Sequence, residues 1–155
     1  MRPSEHAYET IKRHEGLRLN AYQDVAGVWT IGYGNTYYPD GKRVKAGDVI
    51  SLARAVELFK WTVDSFAERI LAHITTPLNQ NQFDALVSFA YNVGVAAFKN
   101  STLLRKVNAN PCDPAIRDQF MRWNKAGGKI VNGLTVRRKQ EADLYFSNKI
   151  HGVNT

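Results

Sequence analysis

The stretch that decides the fold runs from residue 14 to residue 34 and reads H-E-G-L-R-L-N-A-Y-Q-D-V-A-G-V-W-T-I-G-Y-G. A helix precedes it: Ser4 can cap that helix, and Ala7, Tyr8 and Ile11 lie on one helical face. Beyond the helix, Tyr, Trp, Val and Thr residues are interrupted by glycines, which is typical of short strands and tight turns. The sequence therefore predicts a small antiparallel sheet, which must pack on helices because so few strands are unstable alone.

The rest of the chain predicts helices. Residues 51–75 carry apolar side chains at helical spacing and predict one long linking helix. Four residues typical of helix starts follow: Asn79, Ser101, Asp113 and Thr135. We predict one α+β domain over residues 1–155, in which a small β lobe at about 14–50 is joined by the linking helix to a larger helical lobe. That lobe comprises residues 76–155 and the N-terminal helix.

The composition is typical of a globular protein: of the 155 residues, 44% are hydrophobic and 23% are charged. Cys112 is the single cysteine and has no partner for an internal disulfide. No spacing of Cys and His residues suggests a metal site. We therefore expect neither a metal nor a cofactor.

The formal net charge of +7 is unevenly distributed along the chain. Residues 1–98 contain ten basic residues (Lys or Arg) and ten acidic residues (Asp or Glu). Residues 99–155 contain eleven basic and four acidic residues. A basic surplus favours anionic polymers, among them nucleic acid, acidic lipid and cell wall. No recognisable nucleic-acid reading motif accompanies it, which argues against a nucleic-acid partner.

Three side chains of the quoted stretch could face one crevice between the lobes. Glu15 follows the apolar helix face, Asp24 lies in a turn between extended segments, and Thr30 lies on the next strand. Glycoside hydrolysis uses one protonated carboxyl and one ionised carboxyl. Burial favours the protonated form, so Glu15 is the better proton donor and Asp24 the better ionised partner. Taken singly, Glu15 could equally be a frayed helix end and Thr30 a packing residue.

The sequence resembles the phage-type lysozyme family, glycoside hydrolase family 24, in its lambdoid endolysin branch. The first shared motif is H-E-G-L-R-L-x-A-Y-x-D-x-x-G-x-x-T-I-G-Y-G, with its Glu-Asp-Thr spacing. The later motifs are residues 77–94 (P-L-N-Q-N-Q-F-D-A-L-V-S-F-A-Y-N-V-G), residues 101–104 (S-T-L-L), Gly133-Leu134, Arg137-Arg138 and Glu141. The resemblance covers nearly the whole chain.

This resemblance implies a lysozyme-like fold and a muramidase that hydrolyses the β-1,4 bond between N-acetylmuramic acid and N-acetylglucosamine in peptidoglycan. In the family pattern Glu15 is the general acid, and Asp24 with Thr30 holds and activates the attacking water in a single inverting displacement. Inversion follows from the resemblance alone, because the sequence does not give the carboxyl separation that decides it. Related wall enzymes that form anhydro products need no water-holding pair, so Asp24 and Thr30 favour hydrolysis.

The resemblance also implies substrate-binding positions. Tyr91, Asn92 and Ser101 match segments that line the glycan cleft, although each could equally be a helix cap or a core residue. Arg137 and Arg138 match a pair near the cleft, and one of the two could form an ion pair with the catalytic glutamate. The sequence does not show which one.

The sequence begins without an apolar targeting segment and contains no stretch long enough to span a bilayer. We expect synthesis in the cytoplasm of a bacterial host, with no stable membrane insertion. The resemblance implies dependence on a holin, which permeabilises the inner membrane so that the enzyme reaches the periplasmic wall. We expect a monomer, because no paired surface is evident.

Other functions remain open at this point. A non-catalytic cationic protein that binds the cell wall or another anionic polymer would also carry the basic surplus. A catalytically dead relative is less favoured, because Glu15 and Asp24 are both present. Membrane disruption by the basic segment at residues 134–149 is a further alternative, and it would not depend on Glu15.

Overall fold

Helices dominate residues 1–148, which also contain two short antiparallel sheets. The structure is a computed structural model that describes residues 1–148. Its elements are α1 (Glu5–Lys12), β1 (Arg18–Gln23), β2 (Trp29–Gly32), α2 (Leu52–Leu71), α3 (Gln80–Val93), α4 (Val95–Lys99), α5 (Thr102–Ala109), α6 (Ile116–Met121), β3 (Lys125–Ala126), β4 (Lys129–Ile130) and α7 (Asn132–Tyr145). The predicted α+β class is confirmed. Residues 149–155 of the predicted helical lobe lie outside the described residues.

The chain divides into two compact units. The small unit is Tyr8–Ser65, and the large unit consists of residues 1–7 together with the chain from Phe66 onward. The division therefore falls inside α1 and inside α2. The sequence instead placed the lobe boundaries at the ends of the linking helix and assigned the whole N-terminal helix to the helical lobe.

The small unit is built on the hairpin of β1 and β2. These strands pair antiparallel, with Tyr22 opposite Thr30 and Gln23 opposite Trp29. Beneath the hairpin, apolar residues of α1, β2, α2 and the intervening loops are buried: Tyr8, Ile11, Ile31, Tyr33, Val44, Ala55, Leu58, Phe59 and Val63. Each fully buried large aliphatic or aromatic side chain contributes roughly 1.5–3 kcal/mol. Most of β2 belongs to this core, with Thr30, Ile31 and Gly32 buried and Trp29 half-buried.

The large unit is held by capped helices around an aromatic core. Asn79 caps α3 in a reciprocal capping box with Gln82, and Ser101 caps α5. The caps predicted at Asn79 and Ser101 are confirmed, whereas α6 begins at Ile116, three residues after the predicted start at Asp113, with Ala115 as its N-cap. Phe89 packs edge-on against Phe120 and Trp123, with ring centroids 5.7 and 5.5 Å apart. Such edge-to-face aromatic pairs stabilise a core beyond the area they bury.

The linking helix is shorter than predicted, since α2 ends at Leu71 and not at residue 75. The amide of Asn108 bonds the backbone beyond the helix end: its Nδ2 donates to the carbonyl of His73 (3.0 Å), and its Oδ1 accepts from the N–H of Thr75 (2.9 Å). A side chain distant in sequence thus satisfies two backbone groups that lie outside the helix. Among residues 1–148, no helix has the length and hydropathy needed to cross a bilayer.

The prediction that everything after residue 76 is helical was wrong at one place. Lys125–Ala126 and Lys129–Ile130 form a two-stranded hairpin around Gly127 and Gly128. The Gly-Gly pair is a hairpin signal that the sequence offered. The last helix also begins at Asn132, three residues before the predicted start at Thr135.

Candidate active site

Asp24 directly follows β1 and opens the turn that leads into β2. Its backbone N–H donates to the carbonyl of Val28 (2.9 Å), and its Oδ1 accepts from the N–H groups of Ala26 (2.8 Å) and Val28 (2.9 Å). Gly27 has φ +79°, a conformation that favours glycine. The backbone thus fixes the orientation of this exposed carboxylate. Within residues 1–148, its Oδ2 accepts no hydrogen bond.

Thr30 lies on β2 and is only 5% exposed. Its Oγ1 donates to the carbonyl of Val28 (3.0 Å). Tyr22 is paired opposite Thr30, and Asp24 comes two residues after Tyr22, so the pleat places Asp24 and Thr30 on the same side of the hairpin.

Glu15 lies in the turns that follow α1. The helix ends at Lys12, and the N–H groups of His14 and Glu15 each donate to a carbonyl three residues earlier at 3.0 Å. The helix therefore stops earlier than the sequence predicted, and Glu15 is half-buried beyond its end. Glu15, Asp24 and Thr30 all belong to the small unit.

Tyr91 and Asn92 lie in the last turn of α3, in the large unit. Tyr91 is half-buried, and its ring centroid is 5.1 Å from that of Phe66. Asn92 is exposed. Their assignment to substrate binding stays a prediction.

Ser101 acts within the fold as a helix cap. Its side chain is buried, its Oγ accepts from the N–H of Leu104 (3.0 Å), and its hydroxyl donates to the carbonyl of Phe98 (2.7 Å). The cap was one of the two roles that the sequence left open. Substrate binding by Ser101 stays a prediction.

Replacing Ser101 by alanine is expected to lower the free energy of unfolding by about 1 kcal/mol, because the N–H of Leu104 loses its partner at the start of α5. Urea unfolding of both proteins measures the difference. Thr102→Ala, one residue further on, is the control and should cost less than about 0.5 kcal/mol. Equal losses in the two variants would contradict the capping role.

Arg137 and Arg138 are buried side by side on α7, with 5% and 0% of their surfaces exposed. Arg137 Nε lies 3.4 Å from Oε2 of Glu141, and Arg138 Nε lies 2.8 Å from Oε1. The hydroxyl of Ser88 donates to Oε2 of Glu141 (2.5 Å). We call these four residues the buried ionic cluster. The predicted ion pair between one of the arginines and Glu15 stays a prediction.

The cluster carries two guanidinium groups and one carboxylate. Burial raises the pKa of Glu141 and lowers that of Arg138, while the attraction between the two opposes both shifts. Arg138 also lies over the ring of Phe89, 5.1 Å from its centroid. Glu141 belongs to the family motif, but its structural role was not predicted from the sequence. Its spacing of three and four residues from the arginines was an available signal, whereas Ser88, 53 residues away, gave none.

Known phage proteins are similar to this chain in sequence. The phage lysozyme family matches residues 12–141. The endolysin of Salmonella phage P22 is 40% identical over 147 residues, which are 95% of this chain and 99% of that protein. The endolysin of Bacillus phage B103 is 41% identical across 99% of this chain, which spans 57% of the B103 protein.

The fold has solved relatives as well. The endolysin from Escherichia coli O157:H7 phage FAHEc1 superposes with a TM-score of 0.83 and 39% identity, covering 96% of each chain. The α+β fold and these similarities define a glycoside hydrolase of the lysozyme class. The chain belongs to the phage lysozyme family.

Proposed function

We propose that this enzyme is an endolysin that hydrolyses peptidoglycan between N-acetylmuramic acid and N-acetylglucosamine and so lyses the host cell. The observation that carries the proposal is the arrangement of Asp24 and Thr30: the backbone orients the Asp24 carboxylate, leaves its Oδ2 available, and sets it on the same side of the hairpin as Thr30. The endolysin relatives support the same function. Non-catalytic binding to anionic polymers would not require this arrangement.

In the proposed reaction Glu15 donates a proton to the glycosidic oxygen as the bond from that oxygen to the anomeric carbon breaks. A water molecule attacks the anomeric carbon from the opposite side and transfers a proton to Oδ2 of Asp24. The hydroxyl proton of Thr30 is committed to the carbonyl of Val28, so Oγ1 presents its lone pairs. The water can therefore donate one hydrogen bond to Asp24 and one to Thr30. The outcome is inversion.

Product analysis tests this reaction. Purified peptidoglycan sacculi are digested with the enzyme, reduced with borohydride, and analysed for the sugar at each new chain end. We expect reduced N-acetylmuramic acid at the new chain ends and, in a parallel digest followed by proton NMR without borohydride, the α-anomer first. Reduced N-acetylglucosamine would contradict the bond assignment, anhydro ends would contradict attack by water, and an initial β-anomer would contradict inversion.

The remaining parts of the proposal concern substrate contacts and delivery. We propose that Tyr91, Asn92, Ser101, Arg137 and Arg138 contribute to the glycan cleft. We also propose that the monomeric enzyme is made in the host cytoplasm and reaches the periplasmic wall through a holin-permeabilised inner membrane. Family membership supports the substrate contacts. Expression with and without a holin should give lysis only in its presence, and lysis without it would contradict the delivery route.

A further inference from the structure

The small unit carries an open depression of about 450 Å³ that the proposed reaction does not use. Residues 27–29 form one wall, and residues 36, 37, 43 and 44 form the other. The second wall is a short ladder in which Tyr37 pairs with Arg43, and the N–H of Val44 donates to the carbonyl of Thr36 (2.9 Å). The volume of the depression lies within the range of small-ligand sites, roughly 300–1,000 Å³.

The depression lies away from the catalytic face of the hairpin. Trp29, one of its lining residues, directly precedes Thr30 on β2. Successive side chains of a strand point to opposite faces, so the Trp29 side chain is directed away from the side that carries Thr30 and Asp24. A ligand bound in the depression would therefore not compete with the glycan strand for the catalytic residues. The first wall nevertheless belongs to the same turn that orients Asp24.

The polar side chains of the lining offer unused hydrogen-bond donors. The guanidinium of Arg43 lies 5.1 Å from the ring centroid of Tyr37 and, within residues 1–148, forms no ion pair or hydrogen bond. The indole N–H of Trp29 likewise donates no hydrogen bond to the described chain. A guanidinium fork recognises the two oxygens of a carboxylate or phosphate, and the aromatic rings of Trp29 and Tyr37 can pack against the chain that carries them.

We propose that this depression binds an oxyanion of the cell-wall polymer, outside the glycan-cleaving centre, with Arg43 as the anion-binding residue. The inference rests on the proposed function, because it takes peptidoglycan as the substrate. Two sources supply the same chemistry: the carboxylates of the peptide stems and the phosphates of polymers attached to the wall. By holding either, the depression lowers the KM for intact wall and leaves kcat unchanged.

Direct binding is measured by NMR, with the indole N–H of Trp29 as the reporter and Trp29→Phe used to assign it. The probes are a soluble peptide stem and glycerol phosphate. We expect a saturable shift with one probe, and Arg43→Gln should weaken that binding at least tenfold. The control is Lys42→Gln, which removes the same charge one residue away, at an exposed position that does not line the depression. It should bind within twofold of wild type.

The two probes distinguish the sources: binding of the peptide alone assigns the peptide carboxylates, and binding of glycerol phosphate alone assigns the phosphates. Binding of neither, or equal weakening by Arg43→Gln and Lys42→Gln, overturns the proposal.

Kinetics provide the second test. With intact sacculi, Arg43→Gln should raise KM about tenfold at unchanged kcat. With sacculi from which the bound carboxylate or phosphate group has been removed, the variant and wild type should have the same KM. A KM increase that persists on stripped sacculi overturns the proposal. If wild type cleaves no wall preparation while the Trp29 shift remains, the proposed function fails and the oxyanion site stands.

Discussion

Replacing Glu15 by glutamine is expected to lower the rate of wall hydrolysis by about 10²- to 10⁴-fold, because the amide has the same shape but no proton to give to the leaving oxygen. The measurement is the initial rate at which new reducing ends appear in purified sacculi. Turbidity clearing of chloroform-permeabilised Gram-negative cells should fall in parallel. The circular dichroism spectrum and melting temperature of the variant should stay close to those of wild type.

Glu9→Gln is the matched control. Glu9 is an exposed carboxylate on α1 that pairs with Lys12 at 3.2 Å. Such surface pairs contribute about 0–1 kcal/mol, so this variant should keep the wild-type rate within about twofold. If Glu15→Gln instead releases reducing ends at more than about a tenth of the wild-type rate, Glu15 is not the general acid. Equal clearing without new reducing ends would point to a membrane or binding mechanism.

Replacing Glu141 by glutamine is expected to lower the free energy of unfolding by about 3–5 kcal/mol, because it leaves the guanidiniums of Arg137 and Arg138 buried without a carboxylate. Urea unfolding with an unchanged m-value measures the loss. For a protein of this size the melting temperature should fall by roughly 6–20 °C. Glutamine keeps the volume of the side chain, so little of the effect comes from a cavity.

Asp143→Asn provides the control on the same helix. Asp143 also contacts two cations, Lys139 at 2.9 Å and Arg117 at 2.7 Å, but its side chain is 49% exposed. Water screens these pairs, and the loss should stay below about 1 kcal/mol. Adding Arg138→Met to the Glu141→Gln variant should recover part of the stability, because it removes one uncompensated charge. Equal losses from the two single variants would exclude the buried ionic cluster as a major stabilising feature.

Local signals in the sequence determined two of the helix caps and the hydrogen bonds of the hairpin turn. Asn79 and Ser101 cap their helices as predicted, because a cap needs only its own side chain and a backbone N–H three residues ahead. The turn from Asp24 to Val28 is local in the same way, since its hydrogen bonds join residues at most four apart. The motif with Glu15, Asp24 and Thr30, together with the later motifs, predicted the family, and the comparisons confirm it.

Tertiary structure decided the features in which partners come from distant parts of the chain. The backbone beyond the end of α2 is bonded by Asn108, 33 residues after Thr75. The buried ionic cluster depends on Ser88, which meets Glu141 across 53 residues, and nothing local marked the two arginines as core residues. The depression likewise joins residues 27–29 to the ladder of Tyr37 and Arg43. A hydrogen bond between residues a few positions apart can be predicted from the sequence. Burial and charge compensation cannot, because they depend on which distant segments pack together.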